Sequence, residues 1–341
     1  MKLGLSLGYW GRERPAGQAA QVALADELGF DSIWTAEAYG SDALTPLAWY
    51  GATTSNVKLG SAIVQLSART PTATAMAAMT LDQLSGGRVM LGLGVSGPQV
   101  VEGWHGVAWN KPLTWLREYV TIVKTILARE APLTFQGERY RIPYDGPGSA
   151  GLGKPLKSMV HGRKDIPIFS GAMAPLGQEL CGELCDGILL TCMHPGRPEV
   201  ILDRVKAGRA KVGKTLDGFE VAPTVAVAVG DDLEALRRPF REQLALYIGG
   251  MGAKEKNFYR EYLSRVGYEG ECAQILELFM SGKRKEAVAA VSDDMIDTLY
   301  LIGPKARIKE RYAAWKDSGV TTIIVGTHQL EAIRVMAEIV L

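Results

Sequence analysis

The stretch Arg88–Gly106, RVMLGLGVSGPQVVEGWHG, decides how the chain is read. Gly92-x-Gly94-x-x-Gly97 follows an apolar run directly, which spells a dinucleotide-binding fingerprint. That fingerprint belongs to a strand, a tight turn and a long helix, with an acidic residue closing the next strand about 20 residues on. Here Pro98 follows the last glycine, and Leu116 to Ile126 (LREYVTIVKTI) carries helical periodicity, so Glu118 falls on a helix. The stretch also comes after three earlier strand-and-helix units. It reads as the fourth turn of a longer alternation.

Working outward, strand-like runs alternate with helical patterns. The predicted strands are Leu3 to Gly8, Ser32 to Glu37, Lys58 to Leu66, Arg88 to Gly94, Asp165 to Gly171, Asp186 to Thr191, Phe219 to Val229 and Thr321 to Gly326. Helices are expected from Pro15 to Leu28, Ala43 to Thr54, Pro71 to Leu84 and Pro112 to Arg129, and from starts near Pro175, Pro198 and Asp231, with one at the C-terminus. Irregular chain is expected between Gly97 and Pro112, a hairpin within 133–142, a loop insertion at 143–164 and a helical insertion at 253–299. Eight strand-and-helix units without a linker point to one domain over 1–341, an α/β protein closed as a (β/α)8 TIM barrel.

Composition sets the class. The 341 residues are 47% apolar and 22% charged with net charge +1, enough chain for an ample core and too balanced for a nucleic-acid partner. The longest apolar runs fall short of the ~20 residues of a membrane span, and MKLGLSLGYW lacks a signal peptide's charged region and cleavage site. Four cysteines make no disulfide framework. Cys181 and Cys185, four apart on an apolar face with no second ligand pair nearby, read as core rather than metal ligands. These features predict a soluble, cytoplasmic protein with no metal, membrane or nucleic-acid partner.

A barrel places function at the carboxyl ends of its strands. Those ends are Gly8-Tyr9-Trp10, Glu37-Ala38-Tyr39, Ala62-Ile63-Val64-Gln65, Gly94-Val95-Ser96-Gly97, Ser170-Gly171-Ala172-Met173, Thr191-Cys192-Met193-His194 and Gly326-Thr327-His328, small and poor in charge. Glycine on neighbouring strands lets a flat ring lie against backbone. In SGAMAPL, Ala174 can cap a helix whose first turn holds Pro175; free amides there suit a phosphate, although an ordinary strand-to-helix turn has the same spelling.

FDSIWTAEAYG, KLGSAIVQLSARTPTATAMAAMTLDQLSGGRVMLGLGVSG, IPIFSGAMAPLGQELCGELCDGILLT and DDMIDTLYLIGPKARIKERYAAWKDSGVTTIIVG resemble the bacterial luciferase-like superfamily, in particular its branch that uses coenzyme F420, an 8-hydroxy-5-deazaflavin. The resemblance covers nearly the whole chain. It implies a deazaflavin in the barrel mouth and a non-proline cis peptide at the end of the third strand, here Ala62-Ile63, behind the ring. It also implies that Gly94, Val95, Ser96 and Gly97 border the cofactor tail, and that Gly171, Ala172, Met173, Ala174 and Pro175 receive its phosphate. Several relatives end the second strand with Asp-His; this chain has Glu37-Ala38, so no histidine follows the acid.

Glu37 is the candidate catalytic and cofactor-binding acid, as hydrogen-bond partner to the ring or as proton donor; a capping or salt-bridged carboxylate would look the same. Trp10, Tyr39, His105, Cys192 and His194 are the candidate substrate-pocket residues, with His328 on the same side. Arg69 either meets the cofactor's charged tail or is solvated. The expected activity is hydride transfer between the deazaflavin C5 and an organic substrate, the apolar strand ends favouring a hydrophobic carbonyl, alcohol or enone over a pterin-type carrier. The alternatives are an FMN-dependent monooxygenase on the same barrel and a non-catalytic flavin- or F420-binding protein. Relatives pair through barrel helices, which implies a homodimer or a dimer of dimers.

Overall fold

A computed structural model describes residues 1–8, 10–13, 15–251 and 257–341. Tyr9 and residues 253–256 of the expected helical insertion lie outside the described residues. Eight parallel strands close into a barrel: β1 (Lys2–Gly8), β2 (Ser32–Thr35), β3 (Lys58–Ser61), β4 (Val89–Gly94), β5 (Ile168–Gly171), β6 (Gly187–Thr191), β7 (Glu220–Val229) and β8 (Thr322–Gly326). Each pairs with the next, and β8 returns to β1 with Lys2 opposite Thr322.

Strand alternation divides the apolar residues between two cores. Most pack outward against the helices, whereas Trp34, Met90, Phe169, Leu189, Ala222 and Ile324 form a separate cluster inside the barrel. Trp34 meets Phe169 edge to face at 5.4 Å and donates its indole N–H to Ser32 Oγ at 2.9 Å. Two residues further along a strand the side chain returns to the same face. At those positions stand Ala36, Gly92, Gly171, Thr191, Thr224 and Gly326. A plug of large side chains is thus followed, at the carboxyl end, by a ring of small ones.

The strands differ from expectation where tertiary packing intervenes. β2 stops at Thr35, so Glu37 stands two residues beyond it. The third run is broken: Gly60 faces Met90 of β4, but Val64, in the short strand Val64–Gln65, faces Leu93. The run therefore carries one residue more than β4 over that interval, a β-bulge. Its Ala62-Ile63 peptide is cis. After Gly97 the chain is not irregular throughout, because Pro98–Gly103 forms a short helix that starts at proline and buries Val101.

A further strand, Leu301–Gly303, pairs with the upper half of β7 after the insertion. The insertion's described part comprises Phe258–Leu263, Ser264–Tyr268, Glu269–Met280, Arg284–Ala289 and Asp293–Leu299. Asp297 ties it to the barrel by accepting from Arg237 and Arg307, each at 2.6 Å. Residues 143–164 hold no helix or strand. They are strapped to the helix Pro71–Leu84 by Arg163, which bonds both oxygens of buried Asp82 at 2.9 and 3.0 Å. No helix of the described residues is long and apolar enough to cross a membrane.

Candidate active site at the carboxyl ends of the strands

The glycines of the opening stretch serve the barrel's own packing. A Cβ on Gly92 would lie 1.9 Å from the Ser61 carbonyl oxygen, and one on Gly94 2.7 Å from Ile63 Cδ1. Ser61 Oγ also bonds both the N–H and the carbonyl of Gly92, at 2.9 Å each, which locks β3 against β4. Gly171 gives Ile63 the same room, at 3.2 Å from its Cγ2. Gly97 is less constrained, its nearest neighbour being Gln99 Oε1 at 3.1 Å. Glu118, in the helix Pro112–Ala128, accepts the amides of Glu138, Arg139 and Tyr140 at 2.7, 3.0 and 3.0 Å. It is committed to the hairpin turn.

Glu37 is buried beside this layer. Its Oε2 accepts from Arg69 Nη1 at 2.8 Å and from the Ala43 amide at 3.1 Å. Arg69 reaches Asp42 as well, at 3.3 Å, so this arginine is shared between two carboxylates. Towards both the guanidinium and the amide, Oε2 acts as an acceptor. Its Oε1 is buried with no partner. Gln65 stands beside it: the amide nitrogen donates to the Ala38 carbonyl at 2.8 Å, and its Oε1 is also buried and unpartnered.

Among the described residues the buried side-chain atoms without a partner belong to Glu37, Gln65, Ser67, His105, Ser170 and Gln178. Glu37, Gln65, Ser67 and His105 follow the carboxyl ends of β2–β4, whereas Ser170 lies on the face of β5 opposite to Phe169 and Gln178 lies in the helix Pro175–Leu184. Buried polar atoms are nearly always bonded, so a group of orphans marks where a ligand or water completes the structure. The opposite end of the barrel holds a hollow of about 550 Å³ lined by Lys58, Met90, Lys124, Phe169 and Glu220 among others, yet none of the orphans lines it. Chemistry therefore points to the carboxyl end, as the architecture does.

The other expected site residues divide. Trp10 walls the mouth, its indole N–H held by Gln18 Oε1 at 3.2 Å and its amide by Ser41 Oγ at 2.9 Å. Ser96 adopts φ 59°, and its carbonyl accepts from Trp109 Nε1 at 3.2 Å. Val95 packs on the main core, and Ala172 is buried. Met173 turns its carbonyl to Gln178 Nε2 at 3.1 Å; Ala174 caps the helix Pro175–Leu184 without any side-chain bond. His194 is half-buried against Tyr268, accepts the Gly196 amide at Nδ1, and has its pKa lowered by burial and then by Arg197.

Tyr39 is 70% exposed. One pocket assignment needs correction. Cys192 stands just past the end of β6 at φ 59° and belongs to the outer core, where Sγ meets Tyr300 OH at 3.9 Å and burial pushes the thiol up to about 12. His328 is exposed. Cys181 and Cys185 are buried, and no metal-binding group occurs among the described residues. Sequence reasoning does not single out Gln65, Ser67 or Arg265, whose significance depends on which atoms packing leaves without partners.

A family model described as luciferase-like monooxygenase matches residues 4–322. The chain is 46% identical over 343 residues, 100% of its own length and 99% of the relative's, to a Mycobacterium tuberculosis H37Rv protein with the provisional name coenzyme F420-dependent oxidoreductase. It is 30% identical over 308 residues to the 5,10-methylenetetrahydromethanopterin reductase of Archaeoglobus fulgidus, covering 90% of this chain and 88% of that one. The solved coenzyme F420 dependent tetrahydromethanopterin reductase of Methanopyrus kandleri superposes with a TM-score of 0.79 over 99% of this chain and 97% of that one at 24% identity, a likeness of fold.

Proposed function

The chain belongs to the luciferase-like monooxygenase family, and from that premise we propose that this coenzyme F420-dependent oxidoreductase moves a hydride between its deazaflavin and an apolar carbonyl or alcohol. The observation that carries the reading is the group of unpartnered buried atoms that follow the ends of β2–β4. A deazaflavin edge bearing N–H and C=O groups fits it: Glu37 Oε1 and Gln65 Oε1 accept, while Ser67 can give or take. The small ring of Ala36, Gly171, Thr191 and Gly326 leaves room for the flat face. Bound there, the cofactor supplies a two-electron carbon centre for hydride transfer.

The chain's own groups orient the ring and handle the proton. Arg69 and the Ala43 amide fix Glu37 in place, which makes it an anchor for the ring. His105 Nε2, buried and unpartnered, is the nitrogen assigned here to exchange a proton with substrate. His105→Asn is expected to lower kcat at least tenfold, the lower part of the usual general acid–base range, with cofactor affinity within about twofold. An unchanged kcat, measured with whichever acceptor turns over, would remove His105 from the chemistry.

The test of the whole reading is a parallel fluorescence titration with F420 and FMN. Tight binding of F420 alone supports it, and binding of FMN alone moves the protein to the oxygen-using branch. A homodimer is proposed as well. Trp49 on Leu44–Gly51 and Met76 and Leu84 on Pro71–Leu84 are 64%, 59% and 79% exposed, apolar area beyond what a lone barrel needs. Sedimentation should give twice the chain mass; a monomer at micromolar concentration would count against pairing.

A further inference from the structure

The insertion's first described helix, Phe258–Leu263, is followed through Ser264–Tyr268 by a kink at Gly267, whose φ of 118° breaks the helix before Glu269–Met280. The side chain presented here is Arg265. Its Nη2 donates to the Met173 carbonyl at 3.2 Å and its Nε to the Glu261 carbonyl at 3.3 Å, while the guanidinium stands 5.9 Å from the Tyr262 ring centre. A guanidinium has five N–H donors. Both bonds made here go to main-chain carbonyls and neither to a carboxylate.

The contrast with neighbouring arginines is informative. Arg237 and Arg307 share Asp297, Arg241 meets Glu234 and Asp293, and Arg69 holds Glu37. Arg265 is partly desolvated and makes no ion pair; burial lowers its pKa, Tyr262 and Glu261 nearby offset this only in part, and Arg204 adds to it. A cation that loses water without a directly bonded counter-charge costs stability. The cost is offset if an anion arrives with a ligand.

An anion is also what the neighbouring backbone can receive. Met173 precedes Ala174, the cap of the ten-residue helix Pro175–Leu184. Pro175 has no N–H and Gln178 N is already bonded to the Ala174 carbonyl, which leaves the Leu176 and Gly177 amides at the helix start. Cation and helix start are joined through a single carbonyl, so both face the loop that ends β5. We propose that Arg265 supplies the counter-charge for the phosphate-bearing tail of the cofactor, which makes the insertion part of the cofactor site. The inference rests on the deazaflavin reading above.

The experiment titrates the full chain with F420 and with the 8-hydroxy-5-deazariboflavin chromophore, which lacks the phosphate tail, at low and moderate salt. Arg265→Met is expected to weaken F420 on the order of tenfold to a hundredfold while the tail-less chromophore changes by about twofold or less. Salt should narrow the gap, and Arg265→Lys should recover part of it by restoring charge without the planar fork. Equal weakening of both ligands, or none for F420, overturns the proposal. Should Arg265→Met fail to fold, Arg265→Lys and Arg265→Gln carry the same comparison. If the wild-type chain takes FMN and refuses F420, the deazaflavin reading fails by itself; the FMN and riboflavin pair then tests Arg265, loss confined to FMN supporting it and equal loss overturning it. A chain that binds none of these ligands sinks both.

Discussion

Gly92→Ala is expected to abolish the folded barrel, or to leave it with a melting temperature lower by well over 10 °C. The added methyl would stand 1.9 Å from the Ser61 carbonyl oxygen and 2.7 Å from Leu189 Cδ1. Leu189 can turn away, but the carbonyl cannot. Ser61 pairs with Thr35 of β2, and its hydroxyl clasps both backbone groups of Gly92, so any retreat opens the seam between β3 and β4. Overpacking against fixed backbone exceeds the usual 1–3 kcal/mol range of core insertions, and about 4 kcal/mol would remove much of an ordinary domain's stability. Gly94→Ala should cost less, because the atom it meets ends a flexible Ile63 side chain. Gly97→Ala should cost least, having φ −95° and only Gln99 Oε1 within reach. Thermal melts of the three variants check that order. A dinucleotide fold predicts another result, since its second and third glycines face pyrophosphate and helix and would matter for binding.

How far the sequence was legible follows from what each feature depends on. The eight barrel strands could be read because their apolar runs and helix starts are local patterns; Pro71–Leu84 begins and ends where its proline and glycines indicate. The break in the third run is not local. It arises because β4 offers Gly92 and Gly94 opposite Ser61 and Ile63, a match visible only once the strands are paired. Leu301–Gly303 is three residues between helices, too short for a period. Within the site, an acid just past a strand end could be picked out at Glu37, but its commitment to Arg69 spans 32 positions. Cys192 was misplaced because it stands past the end of β6 at φ 59°, where strand alternation no longer aims a side chain. Arg265 lies 92 positions from the carbonyl it holds, and nothing near it in the sequence indicates the contact.

Glu37→Gln should weaken cofactor binding on the order of tenfold to a hundredfold with little loss of fold. The new amide keeps one acceptor, and Arg69 together with the Ala43 amide will claim it. The NH2 group then occupies the place of Oε1, turning an unpartnered acceptor into a donor. That change removes one of the unpartnered acceptors from the ligand. A ring N–H that had bonded there would meet a donor, at a cost of about 1–3 kcal/mol. Arg69 keeps Asp42 at 3.3 Å and has 23% of its side chain open to water, so its lost partner costs less than a sealed ion pair would. If Glu37 only shapes the loop, affinity should hold while the melting temperature falls. The tail-less chromophore separates this site from Arg265: Glu37→Gln should weaken it as much as the complete cofactor, because Glu37 addresses the ring that the two ligands share.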